Sequence, residues 1–200
     1  HRVDRRQRQM CIRDRWMTAG SGLVHAELSP EAFKRSGGPL EILQLWVNLP
    51  ARLKMTEPNY IPVTASQIAE SRVADGVVMR AVSGTQGAPV ASRTGVMLAT
   101  VEMQPGTQAV LDAPAGRSVL FYTVRGTCRI GDTGVPEHTL AKLGDGDGIE
   151  MSSDDGCVIL FGHADPIGEP MVAHGPFVMN TEAEIVEAIR DYRAGKFGGL

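Results

Sequence analysis

The residues with the clearest chemical potential in this sequence are His25 and Glu27, which follow a glycine-rich turn at residues 20–22. Side chains alternate along a β-strand with a period of two, so this imidazole and this carboxylate share one face of an extended chain. Mixed nitrogen and oxygen ligation suits non-haem iron and related divalent metals. The spacing therefore predicts part of a metal site, which needs further ligands from elsewhere.

A short strand over residues 23–28 is expected to carry this pair. The strongest strand candidate is Glu41–Leu49, which is apolar on both faces toward its end, and Pro50 terminates it. Another strand is expected at residues 77–82, directly after the turn signal Asp75-Gly76. These segments indicate a sheet in the first part of the chain.

The stretch Ser83–Pro89 is the best candidate for a linker. Beyond it, short apolar segments alternate with turn signals, which is typical of an antiparallel sandwich or small barrel. The expected strands are Val96–Met103, Gln108–Leu111, Ser118–Ile130, Thr139–Leu143, Gly148–Met151 and Gly156–Phe161.

One helix is predicted near the C-terminus. Thr181 is a good N-cap, Glu184 three residues later completes a capping box, and Gly195 suits the C′ position. An apolar stripe at helical spacing lies between them, formed by Ile185, Ala188, Ile189 and Tyr192.

The first fifteen residues differ from the rest of the chain. Residues 1–15 contain six Arg and two Asp, and they show no period of 2 or 3.6. They resemble translated sequencing-adaptor sequence, and we interpret them as non-native and exclude them from the predicted fold. The alternative is a basic arm that binds nucleic acid or anionic lipid.

Residues 16–200 carry 14 basic and 21 acidic side chains, a formal net charge of −7, and no basic stripe. We therefore expect no direct binding to nucleic acid. No apolar run reaches the roughly 18 residues that a membrane span needs, and no secretory signal is visible, so we expect a cytoplasmic protein without a membrane partner. The cysteines Cys11, Cys128 and Cys157 fit no metal spacing and are interpreted as reduced structural thiols.

Several segments, taken together and in order, resemble the pirin family. The resemblance extends from Trp16 to the C-terminus. The matching runs are Trp16–Glu27, Leu43–Pro50, Lys54-Met55 with Glu57–Tyr60, Gly175–Thr181 and Asp191–Gly199.

The resemblance implies an all-β bicupin: two cupin-type antiparallel β-barrels, the first incomplete, with a C-terminal α-helix. Residues 16–83 would be the remainder of the N-terminal, metal-site cupin domain. Residues 84–200 would be the C-terminal cupin domain with its helix. A monomer is expected.

The family resemblance also implies a mononuclear Fe(II) site held by three histidines and one glutamate, with other divalent metals possible. His25 and Glu27 match the last two ligands. The first two belong to a His-x-His-Arg-Gly segment, which this chain does not contain. The resemblance thus implies an N-terminally truncated pirin with an incomplete metal site, in which Glu27 is also the expected catalytic residue.

Other candidate sites have simpler interpretations. His138, His163 and His174 are expected to be surface histidines on turns and loops rather than a second metal site. The run Gly144–Gly148 resembles a calcium loop but lacks the distal bidentate glutamate, so a tight turn is predicted. Trp46 and Met55 are expected to pack rather than to form a substrate platform; these two residues belong to the matching segments.

Two functions of different classes follow from the resemblance. The first is a quercetin 2,3-dioxygenase-type oxygenase that acts on a small-molecule flavonol, with the truncated chain itself inactive. The second is a non-enzymatic, redox-sensitive regulatory protein that binds transcription factors or metabolic enzymes. The acidic charge of residues 16–200 suits protein partners better than nucleic acid.

Overall fold

The computed structural model describes residues 13–26, 29 and 31–199. The strands are β1 (Arg13–Thr18), β2 (Asn59–Thr64), β3 (Glu70–Ala74), β4 (Val77–Ser83), β5 (Met97–Met103), β6 (Thr107–Asp112), β7 (Ser118–Ile130), β8 (Thr133–Pro136), β9 (Thr139–Ala141), β10 (Gly148–Ser153), β11 (Cys157–Ala164), β12 (Val172–His174) and β13 (Phe177–Met179). The helices are α1 (Glu31–Ser36), α2 (Ala51–Lys54) and α3 (Glu182–Arg193), and a 3₁₀ turn spans Ala65–Gln67. The predicted all-β class with a C-terminal helix is confirmed.

Two compact units divide the chain. Unit 1 comprises residues 1–62 and 167–200, and unit 2 comprises residues 63–166. The expected boundary between residues 16–83 and 84–200 falls within unit 2. The assignment of those two ranges to two cupin domains stays a prediction.

Unit 2 is built on one nine-stranded sheet. Its strand order is β3-β4-β5-β11-β7-β10-β6, and β8 and β9 also pair with β7. The end strands β3 and β6 approach each other, so the sheet nearly closes into a barrel. The paired strands run antiparallel, as the turn-punctuated sequence predicts.

The core of unit 2 follows directly from the alternation of apolar side chains. Met97, Ala99, Val101 and Met103 of β5 are all buried, and each is separated by one less buried residue. This period of two turns one face of the strand toward the barrel interior. The registers of the neighbouring strands place further buried side chains, including Phe121 and Phe161, in the same apolar cluster.

Strand β7 is the strand that connects the two parts of this sheet. Its first nine residues pair with β11 and β9, and its last four pair with β8, with β10 joining near the end. Gly126 lies where the partners change and adopts a φ of +75°. A side chain at this position would collide with the carbonyl oxygen of Gly156 and would lie 3.2 Å from the Cα of Cys157. Glycine is therefore required for the bend and for the close approach of β11.

Three expectations for the first part of the chain are wrong. Residues 41–49 form no strand, residues 23–26 are irregular, and β1 includes residues 13–15, which we excluded from the fold. A strand requires a neighbour that satisfies its backbone hydrogen bonds, and an apolar pattern alone does not supply one. Whether residues 1–15 are native stays a prediction, and residues 1–12 lie outside the described part of the chain.

Unit 1 contains the predicted helix. The side chain of Thr181 accepts from the backbone N–H of Glu184, and the Glu184 carboxylate accepts from the backbone N–H of Thr181 at 2.8 Å, which confirms the capping box. Gly195 has the positive φ of a C′ residue. Helix α3 packs on the β12–β13 hairpin and buries Ile185. Within the described residues, no helix has both the length and the apolar character of a membrane span.

Replacement of Gly126 by alanine is expected to lower the free energy of unfolding by about 3 kcal/mol or more, since a left-handed backbone penalty adds to a steric clash. Urea denaturation measures the change. Gly131→Ala is the matched control: Gly131 also has a positive φ, but a Cβ there meets nothing within 4 Å. Gly131→Ala should lower the free energy of unfolding by only about 1 kcal/mol. Equal losses in the two variants would contradict the close-approach argument.

Candidate functional site

The segment that carries His25 is irregular, and backbone hydrogen bonds to distant residues hold it in place. The N–H of Ser21 donates to the carbonyl of Thr56 at 2.8 Å. The N–H of Val24 donates to the carbonyl of Phe197 at 3.1 Å. The position of His25 therefore depends on the C-terminal tail as well as on the loop that follows helix α2.

An aromatic cluster lies beside the hydrogen bond between Val24 and Phe197. The rings of Phe177, Tyr192 and Phe197 pack together with centroids 6.1–6.3 Å apart. Gly22 lies against the ring of Phe197, and a side chain there would overlap the ring. Edge-on and tilted aromatic pairs of this kind contribute more than their buried area alone. The cluster therefore explains why Gly22 and the tail residue Phe197 both belong to the segments that resemble the pirin family.

The structure describes one of the two predicted metal ligands, His25. His25 is exposed and lies in irregular chain, so the expected strand is absent at this position. Glu27 lies outside the described residues. Within the described ranges, no three His, Cys, Asp or Glu side chains lie close enough to hold a metal ion. The described residues alone therefore do not complete a metal site.

A buried lysine is the feature that the sequence analysis missed. Lys54 is only 6% exposed at the end of helix α2. Its ammonium group donates to the Asn48 side-chain oxygen at 2.7 Å and to the Val178 carbonyl at 3.2 Å. Lysine is rarely buried unless it is paired. The only sequence signal was its place in the Lys54-Met55 motif, which gave no indication of burial.

The electrostatics of Lys54 reflect this burial. Desolvation lowers the pKa of the Lys54 ammonium below 10.5, and the negative charges of Glu169 and Glu184 partly oppose the shift. Both carboxylates also accept hydrogen bonds from other N–H groups. Glu169 accepts from the backbone N–H of Ala51 at 2.6 Å and from the Asn180 amide at 3.2 Å. Lys54 thus lies in a polar network that joins residues 48–54 to residues 169–184 within unit 1.

His163 differs from the prediction. It lies within strand β11 rather than on a loop, and it is half-buried, with its ring edge-on to Phe161 at 5.8 Å. Desolvation lowers the pKa of His163, the positive charge of Arg117 lowers it further, and Asp165 opposes both effects. The expectation of a loop histidine was wrong because the strand extends further than the apolar run suggested.

The remaining candidates are exposed or buried as predicted. His138 is exposed at the turn between β8 and β9, with a φ of +62°. His174 is exposed, but it ends strand β12 and the prediction that it lies on a loop is wrong. Residues 144–147 form an exposed turn that enters β10. The thiols of Cys128 and Cys157 are buried, as expected for core cysteines.

The expected packing of Trp46 and Met55 is wrong. Trp46 is 59% exposed and Met55 is 63% exposed. Leu40, Ile42, Leu43, Leu45 and Val47 are also exposed, which makes residues 40–47 an apolar exposed segment. Exposed apolar clusters of this kind mark interaction surfaces in many proteins.

Comparison with known sequences identifies the family. The sequence profile of the pirin C-terminal cupin domain matches residues 98–198. A Pseudomonas aeruginosa protein described as a candidate quercetin 2,3-dioxygenase is 34% identical over 187 residues, which cover 91% of this chain and 65% of that protein. Human pirin is 36% identical over 195 residues, which cover 92% of this chain and 64% of pirin.

Comparison with solved structures agrees with the family found from sequence. A quercetin 2,3-dioxygenase from Acinetobacter baumannii superposes with a TM-score of 0.88 at 32% identity, covering 92% of this chain and 66% of that one. The chain belongs to the pirin family of cupin proteins. It spans a little under two thirds of the length of the curated relatives that it matches.

Substitution of Lys54 by methionine is expected to destabilise the chain by about 1–3 kcal/mol at neutral pH, because the Asn48 and Val178 oxygens lose their donor. The effect also depends on pH. The unfolded chain binds the Lys54 proton more tightly, so wild-type stability rises relative to the variant as the pH increases toward 10.5.

Denaturant unfolding at neutral pH and at several alkaline pH values measures both effects. Lys142→Met is the matched control, because Lys142 is exposed. It should change stability by less than about 0.5 kcal/mol. If Lys54→Met proves as stable as the control at every pH, the buried network does not hold unit 1 together.

Proposed function

We propose that this chain is part of a metal-binding pirin that acts as a quercetin 2,3-dioxygenase-type oxygenase on a flavonol. The observation that carries the proposal is the similarity to two relatives of that description, each over more than 90% of this chain. The Acinetobacter baumannii relative superposes with a TM-score of 0.88. An oxygenase of this type opens the flavonol heterocycle with dioxygen and releases carbon monoxide.

His25 and Glu27 are the residues of this chain that we assign to the metal. Their imidazole and carboxylate groups match the donor chemistry that Fe(II) accepts. When bound, such a metal supplies Lewis acidity that lowers the pKa of a bound hydroxyl group. Glu27 is assigned a second role as acceptor of the proton from the flavonol 3-hydroxyl. The backbone hydrogen bonds of Ser21 and Val24 position the chain that leads into this segment.

A second function has separate support. The acidic charge of residues 16–200 suits a protein partner better than nucleic acid. In this alternative the protein is a redox-sensitive regulator that binds transcription factors or metabolic enzymes, and it has no turnover of its own.

The 200-residue chain is expected to bind less than one iron per molecule after anaerobic Fe(II) loading, because two ligands from one segment hold a metal weakly. Elemental analysis after desalting measures the ratio. His25→Ala and Glu27→Gln should each lower it further, while His174→Ala, which replaces an exposed histidine on β12, should not. One iron per chain, or retention of iron in His25→Ala, would refute the assignment.

A chimera tests the enzyme hypothesis. In it, the N-terminal part of the Acinetobacter baumannii relative is joined ahead of Trp16. The iron-loaded chimera is expected to consume quercetin aerobically and release carbon monoxide, while the 200-residue chain is expected to be inactive. Glu27→Gln in the chimera should lower kcat/KM by about 100-fold, a typical contribution of a positioned proton acceptor.

Absorbance loss of quercetin and headspace carbon monoxide are the two readouts. The His174→Ala chimera is the control and should retain activity. An iron-loaded chimera without turnover, together with metal-dependent capture of a protein partner, would favour the regulatory function instead.

A further inference from the structure

Two buried thiols lie on neighbouring strands of unit 2. Cys128 belongs to β7 and is fully buried, and Cys157 opens β11 and is 4% exposed. Both are free and belong to the same apolar cluster. The register pairs Cys157 with Gly126, so Cys128 occupies the diagonal position two residues further along β7. The fold therefore brings together two cysteines that are 29 positions apart in the sequence.

Gly126 makes this approach possible. Because it has no side chain, the backbone at Gly156 and Cys157 lies directly against β7. Diagonal neighbours on a flat antiparallel pair are roughly 7–8 Å apart between Cα atoms. A disulfide requires about 4.4–6.8 Å between Cα atoms. A small inward movement of the exposed turn before Cys157 would therefore allow a bond, and the resulting bond would be easily reduced.

The two thiols interact with each other and with polar neighbours. They lie within hydrogen-bonding reach of each other, and the Cys128 thiol also donates to the Arg129 carbonyl at 3.6 Å. The hydrogen bond from Cys128 lowers the pKa of the Cys157 thiol, desolvation opposes this, and the buried Ser153 side chain lowers it further. The pKa of Cys128 is raised, first by the interaction with Cys157 and then by desolvation. The two shifts have opposite directions, and they favour the thiolate at Cys157 over the thiolate at Cys128.

We propose that Cys128 and Cys157 form a reversible disulfide when the protein meets a peroxide. The Cys157 thiolate attacks one peroxide oxygen, the O–O bond breaks, and with one proton this yields a sulfenic acid and water. The Cys128 sulfur then attacks the Cys157 sulfur, the S–O bond breaks, and the Cys128 proton leaves with the hydroxyl as a second water. Two thiols are oxidised and one peroxide is reduced to two waters.

This inference does not depend on the proposed function. Both cysteines lie in unit 2, whereas His25 lies in unit 1. Reactive thiols need thiolate character and access. Both thiols are buried, so their oxidation requires a local opening that admits the peroxide. The adjacent second thiol is what distinguishes this pair from ordinary core cysteines.

The test uses the 200-residue chain with Cys11→Ser, so that only Cys128 and Cys157 remain. The chain is treated with hydrogen peroxide, quenched in acid and examined by intact mass and by alkylation. The expected product has lost about 2 Da, accepts no alkylating reagent, and regains both thiols with dithiothreitol. A peptide map should link the two cysteines. At matched oxidation, the ratio of disulfide to sulfinic acid should be at least about tenfold higher in native buffer than in guanidinium, because the fold removes the cost of closing a long loop once Cys157 is oxidised.

Single-cysteine variants provide the control. Cys128→Ser and Cys157→Ser, each in the Cys11→Ser background, should form no intramolecular disulfide, and Cys157 alone should proceed to sulfinic acid. The proposal is overturned if the folded two-cysteine chain keeps both thiols or accumulates sulfinic acid. It is equally overturned if the ratio of disulfide to sulfinic acid is no higher in native buffer than in guanidinium, since the fold then contributes nothing.

Discussion

The bend of strand β7 at Gly126 is the constraint on which unit 2 depends. Strand β7 pairs with four other strands, and it exchanges one set of partners for another where the positive φ of Gly126 turns the chain. With an ordinary residue there, β11 could not approach β7 so closely. The close contact of β11 with β7 at this point, and with it the approach of Cys157 to Cys128, requires this one backbone conformation.

Unit 1 is stabilised by individual hydrogen bonds and ring contacts between irregular segments rather than by an extended sheet. Backbone hydrogen bonds fix the segment around His25, and the aromatic cluster at Phe177, Tyr192 and Phe197 supports one of them. The buried ammonium of Lys54 joins two further parts of the chain. Irregular backbone of this kind needs specific polar partners, because no neighbouring strand satisfies its N–H and C=O groups. The position of His25 therefore depends on the C-terminal tail.

The two kinds of chemistry in the molecule are separate. The similarity to proteins described as quercetin 2,3-dioxygenases and the donor types of His25 and Glu27 are the basis of the metal chemistry that we propose for unit 1. The thiol pair lies in unit 2, where neither cysteine has the neighbours of a metal ligand within the described residues. Each site can therefore be altered without changing the residues of the other.

The sequence by itself determined the elements whose signals are local. The strands of unit 2 follow from a period-two pattern between turn residues, and helix α3 follows from the capping box of Thr181 and Glu184. Only the tertiary structure decided that residues 41–49 form no strand, that Lys54 is buried, and that Cys128 meets Cys157. Strand pairing, burial and thiol contact depend on which distant residues become neighbours in space. A local sequence pattern does not identify those neighbours.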